Sequence, residues 1–427
     1  MTTEEKFDAI VVGAGPAGSA CAYVLAREGK SVLLIERGAS SGSKNVTGGR
    51  IYTYALEMVE PGLYERAPLQ RKVVREQMML LGRNGAATLD YVDYDFGEGV
   101  PQSYTILRAP FDEWFASEAE GQGALVATGI LVDGLIEENG KIVGIKAGED
   151  EMYADIVIAA DGVNSFIAQK AGLFGDISAK TVSVGIKEII ELPENIIETR
   201  FNLRGNEGAA RLAIGCTAGI SGGAFLYTNK ESISLGIVFN PEQAGKSGKR
   251  IHQILQDFKM HPAILTLIEG GTTVEYGAHL VPEVGLTGVP QKLYRDGLIV
   301  VGDAAGFVIN TGTIIRGIDL AIVSGLAAAN AVLKASEPSQ IGRLYMQELQ
   351  NLLLLPTMKV FAGWHNILGI PRMVKEYPDL VNEAMNFMFT VDGKVPEKMP
   401  KAMLSIIKKH VSFFQLVTDG WTGLRSI

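Results

Sequence analysis

The chain has 427 residues, enough for two to three domains of ordinary size, and 47% of them are hydrophobic, which supports a large buried core. A net charge of −9, from 48 acidic against 39 basic residues, argues against nucleic acid as a partner. Two cysteines, Cys21 and Cys216, supply neither a disulfide framework nor the four thiolates that an iron–sulfur cluster normally takes, and no metal site is read from the sequence.

The acidic N-terminus reaches a strand within seven residues, so no signal peptide is expected. No run of about 20 apolar residues is free of glycine, proline and charge, which argues against a transmembrane helix. In chain order, "FDAIVV" reads as a buried strand, "GAGPAG" as a turn and "SACAYVLAREGK" as a helix closed by Gly29. "SVLLIE" is then a second parallel strand. "SYTILRAPFDEWFASEAEGQG" (103–123) reads as a strand feeding a helix, with Pro110 and Asp112 suited to its first turn. Short strands follow at "GKIVGIKA" and "ADIVIAADG". From 181 to 240 the pattern becomes glycine-rich and β-branched, as in "GGAFLYTNKESISLGIVF", which predicts an antiparallel sheet inserted into the first domain. Residues 250–270 read as helical, a strand–turn–helix pattern returns at 297, and helices broken by prolines continue from 336 to the end.

The expected fold is therefore α/β. A discontinuous cofactor domain covers 1–72, 101–180 and 275–335. A sheet-based substrate domain covers 73–100 and 181–274, and a mostly helical region covers 336–427.

Gly13, Gly15 and Gly18 match G-x-G-x-x-G between a strand and a helix. The first glycine makes the tight turn, the second admits a pyrophosphate against bare backbone, and the third lets helix pack on strand; Pro16 and Ala17 complete the turn. Free N–H groups and the helix dipole favour the negative charge placed there. Glu36 ends the next strand, 18 residues after Gly18, where its carboxylate can accept from an adenosine ribose; Arg37 follows it. The motif alone does not separate NAD from FAD.

"GLIVVGDAAGFVINTGTIIRGID" carries Asp303 in its turn, after Gly302, and a carboxylate there would repel a pyrophosphate. It suits hydroxyls instead, and the ribityl chain of FAD supplies them. A helix expected to begin near Gly312, with Thr313 and Ile314, would direct its N–H groups at the flavin ring and favour the reduced anion. The two units thus read as opposite ends of one FAD site. Ala160, Asp161 and Gly162 lie at a strand end, in an A-D-G motif like that of group A flavin hydroxylases and isoprenoid reductases. Arg108 is placed either on the phosphates or ribityl chain, or in a surface ion pair. Val132 is assigned to the adenine through its backbone.

With these motifs in place, the chain resembles the FAD-containing electron transfer flavoprotein–quinone oxidoreductases, and within them the FixC type. The stretches that carry the likeness include "VVGAGPAGSACAYVLAREGKSVLLIERG", "GSKNVTGGRIYTYALE", "ADGVNS" and "DFKMHPAILTLIEGG", with "EYGAHLVPE", the GD segment and "MFTVDGKVP". More distantly it is similar to geranylgeranyl reductases. The resemblance implies a Rossmann-type FAD fold of the group A hydroxylase and geranylgeranyl reductase kind, and one FAD per chain. It implies electron entry from the alpha and beta subunits of an electron transfer flavoprotein, and delivery to a membrane quinone within a bifurcating Fix-type complex. Because no cysteine follows Cys216, the cluster that related oxidoreductases carry is expected on a separate ferredoxin-like chain. The same resemblance brings the loop Lys44, Asn45, Val46, Thr47, Gly48 to the flavin ring. It implies a cytoplasmic protein attached peripherally to the inner face of the cell membrane. An FAD-dependent isoprenoid double-bond reductase is the alternative activity; a subunit that holds FAD only for assembly is a second. His279 and His261 are given structural roles, and the candidates for the quinone pocket are the inserted sheet and 351–370, the latter read alternatively as core helix.

Overall fold

The computed structural model describes residues 6–44, 49–175, 178–179, 181–245, 248–282, 285–313 and 315–426. Its first sheet is built on five parallel strands in the spatial order Leu298–Val300, Asp150–Ala159, Phe7–Val12, Val32–Glu36 and Leu125–Thr128. Gly134–Glu138 and Lys141–Ala147 extend Asp150–Ala159 as an antiparallel meander, and Ala9, Ile10, Val11 and Val12 of the central strand are buried, the continuous apolar run of a parallel strand covered on both faces. The helices Pro16–Arg27, Arg108–Gly121 and Ile318–Lys334 pack together on it. They approach closely because small residues line the contact: a Cβ on Gly325 would stand 2.1 Å from the Ala17 carbonyl oxygen. Gly29 has φ +80 and ends the first helix, as its position in the sequence suggests.

The second sheet has nine strands. Thr272–Pro282, Val182–Glu191, Ser232–Phe239, Gly222–Thr228 and Glu207–Ile214 run antiparallel in that order. Lys72–Leu81 then pairs parallel with Glu207–Ile214. Arg50–Tyr52, Ser103–Thr105 and Thr272–Pro282 also hydrogen-bond into this sheet, although the sequence reading places most of their residues in the cofactor domain. One face carries Ile186, Ile190, Leu226, Leu235 and Ile237, packed under Glu194–Phe201, Ile251–Met260 and Pro262–Ile268. The break between the last two falls at His261. Its Nδ1 accepts from the Ala263 N–H at 3.2 Å and its Nε2 lies 2.9 Å from the Gly82 oxygen. It caps a helix, as expected.

The C-terminal region is helical through Ile341–Asn351, Leu354–Val360, Trp364–Leu368, Glu376–Phe389, Met399–His410 and Phe413–Ser426. Pro356, Pro378 and Pro400 sit in first turns, where a missing N–H costs nothing. Among the described residues no helix is long and apolar enough to cross a membrane.

Candidate functional site

A large cavity opens between the carboxyl ends of the parallel strands and the second sheet. Ligands of open α/β sheets bind at this edge, where strand order reverses. Both nucleotide-like turns reach it. Val301 N–H donates to the Ala159 oxygen at 3.0 Å and Ala160 N–H to the Val12 oxygen at 2.8 Å, so three consecutive strand ends are locked side by side. A Cβ on Gly302 would lie 2.9 Å from that of Ala17. The turns read as ends of one site share one wall.

The three motif glycines divide their tasks. Gly13 has φ +108, and a Cβ on it would come within 2.3 Å of the Ala160 oxygen. A Cβ on Gly18 would meet the Gly13 oxygen at 1.9 Å. Both are demanded by the protein's own packing, and Gly18 is buried behind the cavity wall rather than on it. A Cβ on Gly15 would meet nothing within 4 Å, and Gly15 lines the cavity with Pro16 and Ala17. Space is kept there that no protein atom fills. Glu36 braces this turn: its carboxylate accepts from Ala14 N–H at 3.1 Å and from Gly38 N–H at 2.7 Å. Carboxylate oxygens have further acceptor capacity. Arg37 is exposed at the rim, and Val132 is a buried part of the wall.

Asp303 lines the cavity, and among the described residues no hydrogen bond reaches its carboxylate. Burial raises its pKa, the Arg108 charge opposes that rise, and Asp112 adds to it. Arg108 opens the helix Arg108–Gly121 and lines the cavity. Its Nε is 3.0 Å from Asp112 Oδ1 and its Nη2 2.8 Å from Oδ2. The ion pair left open by the sequence exists, but it is buried rather than on the surface: Asp112 is 0% exposed. Ala160, Asp161 and Gly162 also line the cavity. Asp161 Oδ2 accepts from Ile167 N–H at 3.0 Å, capping the short helix Phe166–Lys170. Its Oδ1 is buried without a partner. Burial pushes its pKa up to about 6, against the pull of backbone donors and of Arg37.

One expectation is overturned. Among the described residues no helix begins near Gly312; the strands Ile309–Asn310 and Ile315–Arg316 pair antiparallel there, and the helix starts at Ile318. Gly312 has φ +75, donates its N–H to Asn310 Oδ1 at 2.8 Å and abuts Leu368. Thr313 stands 3.0 Å from Thr311, hydroxyl to hydroxyl. Neither lines the cavity; Gly317 and Ile318, at the true helix start, do. Lys44 is exposed on the cavity rim, whereas Asn45, Val46, Thr47, Gly48 and Ile314 lie outside the described residues.

The opposite wall comes from the inserted sheet, a candidate for the quinone pocket, but the sequence reading named none of its lining residues for that role. Ser183, Lys187, Phe225, Tyr227 and Arg50 line the cavity, as does His279, expected to be structural. Arg50 pairs with Glu76 and lies 4.8 Å above the Tyr52 ring. Burial lowers the pKa of His279, and the Arg108 and Arg37 charges lower it further.

The chain is 45% identical to the FixC protein of Escherichia coli strain K12 over 426 residues, covering 99% of both. It belongs to the FixC-type electron transfer flavoprotein–quinone oxidoreductase family. It is 44% identical to YdiS of the same organism, a probable electron transfer flavoprotein–quinone oxidoreductase, over the whole length of both. Sequence profiles of an FAD binding domain, of the family's ubiquinone-binding region and of its C-terminal domain match residues 6–195, 182–281 and 364–427. The fold matches a geranylgeranyl bacteriochlorophyll reductase-like structure from Thermoplasma acidophilum, with a TM-score of 0.70 at 21% identity over 95% of this chain and 97% of that one. This family member is a flavin-dependent oxidoreductase with FAD as its cofactor. The cavity fits that cofactor: space is held open beside Gly15, and Asp161 Oδ1 and the Asp303 carboxylate both await donors.

Proposed function

We propose that this chain passes electrons from an electron transfer flavoprotein to a quinone through one FAD held across the cavity. The supporting observation is the continuity of that cavity. The glycine turn, the Asp303 turn and strands of the ubiquinone-binding region all open into it. Bound FAD supplies the electron chemistry, since a flavin takes electrons singly or in pairs and joins one-electron carriers to a two-electron acceptor.

The chain's own groups bind and orient. Gly13, Gly15, Pro16 and Ala17 offer backbone to the pyrophosphate, and Gly18 keeps the helix close behind them. Glu36 accepts from the adenosine ribose, Arg37 sits at the rim, and Val132 borders the adenine. Gly302 and Asp303 meet the ribityl hydroxyls, with Arg108 balancing the charge. Ala160, Asp161 and Gly162 form the floor between the two ends. The first turn of Ile318–Lys334 brings N–H groups to the flavin's electron-rich edge, the role once expected near Gly312. Lys44 to Gly48 is assigned to the ring.

The electron donor on this reading has alpha and beta subunits, and a ferredoxin-like chain carries the cluster that two cysteines cannot. The setting is a Fix-type bifurcating complex on the cytoplasmic face of the membrane. Phe413, Phe414, Trp421 and Leu424 project from the last helix at 56–79% exposure, near Lys408 and Lys409, and suit an anionic lipid surface. The test mixes the purified chain with its donor flavoprotein, the ferredoxin-like partner and a quinone, and follows flavin absorbance. Reduction by the donor and reoxidation by the quinone are expected; a flavin that the donor leaves oxidised refutes the relay.

A further inference from the structure

The helix Ile318–Lys334 begins at the cavity: Gly317 and Ile318 line it, and a Cβ on Gly317 would lie 3.9 Å from Asp303 Oδ1. Its N-cap is Gly317, which has no side chain to cap it. Asp319 stands in the first turn, where a carboxylate ordinarily meets the free N–H groups and the positive end of the dipole. Here that carboxylate is engaged by other groups. Its Oδ2 accepts from Arg316 Nε at 2.8 Å, from Arg316 Nη2 at 2.6 Å and from the Tyr54 hydroxyl at 2.9 Å. The Asp319 side chain is 1% exposed, so its charge needs a partner of this kind.

Arg316 is itself fixed in place. Its guanidinium carbon lies 5.5 Å from the centre of the Tyr52 ring and 5.7 Å from that of Tyr54, and its Nη2 donates to the Tyr54 hydroxyl at 2.8 Å. The three groups thus close a triangle. Tyr52 carries a second guanidinium, that of Arg50, which lines the cavity and has its own carboxylate partner in Glu76. Burial, and then the Asp319 charge, push the Tyr54 pKa far up against the pull of Arg316, so the hydroxyl keeps its proton and donates it to the carboxylate. The cluster is one cation, one anion and one neutral donor, without net charge.

We propose that Arg316, steadied by Tyr54, is a positioning residue for the flavin: it binds the Asp319 carboxylate and cancels its charge, so that the first turn of Ile318–Lys334 keeps its full pull on a reduced flavin. The inference rests on the reading of FAD across the cavity and deepens it by naming the groups that set the flavin's potential. Two electrons and one proton leave the flavin ring with one negative charge. A helix N-terminus favours that charge, and an uncancelled carboxylate in the same turn opposes it. A unit charge acting across about 10 Å of partly buried protein changes an equilibrium by about tenfold. A buried ion pair that only tied the helix to the strand Arg50–Tyr52 would leave the potential where it is.

The experiment measures the two-electron midpoint potential of FAD-loaded full-length protein, reduced slowly with dithionite against a dye of known potential. Arg316→Gln leaves the carboxylate uncancelled and should lower the equilibrium constant for reduction about tenfold, a fall of about 30 mV. Asp319→Asn leaves the guanidinium uncancelled and should raise it by a similar factor. The double variant should return most of the way to wild type. Shifts of the same sign in the two single variants, or no shift in either, overturn the inference. Tyr54→Phe removes one hydroxyl from a residue 39% exposed, so it stands even if Arg316→Gln folds poorly. It takes one donor from the carboxylate and should lower the constant about threefold, or about 15 mV; an unmoved or raised potential there overturns the inference as well. A wild-type chain that takes up no FAD overturns the cofactor reading and this one with it, whereas a bound flavin that ignores these charge changes overturns this one alone.

Discussion

Replacing Gly15 by valine separates what the first turn does for the protein from what it does for the cofactor. Gly15 has φ −80 and ψ −175, an extended conformation open to any residue, and its Cβ direction is clear to 4 Å. The folded chain without cofactor should therefore change by no more than about 0.5 kcal/mol, as at an ordinary surface site. The valine methyls would occupy the space reserved beside the helix N-terminus. Losing even one charge-assisted hydrogen bond to the pyrophosphate costs roughly 1.5–3 kcal/mol, or about tenfold to a hundredfold in FAD affinity. Gly18→Ala is the contrasting case. Its Cβ would stand 1.9 Å from a backbone oxygen, and overpacking of that kind costs about 1–3 kcal/mol or more. Calorimetric titration of stripped protein with FAD, paired with thermal unfolding without FAD, reads both quantities. Gly15→Val should melt within about 1 °C of wild type and bind FAD far more weakly, whereas Gly18→Ala should lose on both counts. A Gly15→Val protein that takes up FAD with wild-type affinity refutes the reasoning, as does one that melts several degrees low.

Three further outcomes are expected. Asp161 holds a proton in the folded, cofactor-free chain that the unfolded chain has lost, because its pKa rises from 3.8 to about 6. Its contribution is present in full below pH 4 and is lost as pH climbs through 6, a fall of about 3 kcal/mol that denaturant melts between those values should show and Asp161→Asn should flatten. Arg108→Met leaves the buried Asp112 without its guanidinium and should cost about 3–5 kcal/mol, while Arg108→Met with Asp112→Leu should recover much of that in the same melts. Asp303→Lys should leave purified protein with a weakened flavin band near 450 nm and faster flavin loss on dilution; unchanged occupancy would show that this carboxylate does not touch the cofactor.

What could be read beforehand was local. Gly13, Gly15, Gly18 and Glu36 announce themselves because turn, helix start and strand end lie within one supersecondary unit, and Asp303 does so because a carboxylate replaces the glycines of a phosphate cradle. The helix placed near Gly312 failed because Ile309–Asn310 and Ile315–Arg316 pair antiparallel before Gly317, and two-residue strands leave no periodicity to detect. Arg108 and Asp112 stand four apart and so can be paired on paper, but nothing in that spacing says they are buried. Lys187 and His279 were out of reach for a different reason. Their juxtaposition depends on the register of two strands some 90 residues apart, and a lone lysine in an apolar strand ordinarily points to solvent. The parallel pairing of Lys72–Leu81 with Glu207–Ile214 has no sequence signature.

The placement of Leu298–Val300 beside Asp150–Ala159 has a consequence for the order of events in the cell. The glycine turn leaves the ribosome early, but its counterpart at Asp303 follows about 290 residues later. At ordinary elongation speeds that is a wait of roughly 15–60 s, during which the nascent chain has half a binding site and no means of gripping FAD at both ends. Both ends of the cofactor can therefore be gripped only once the chain past Asp303 has left the ribosome.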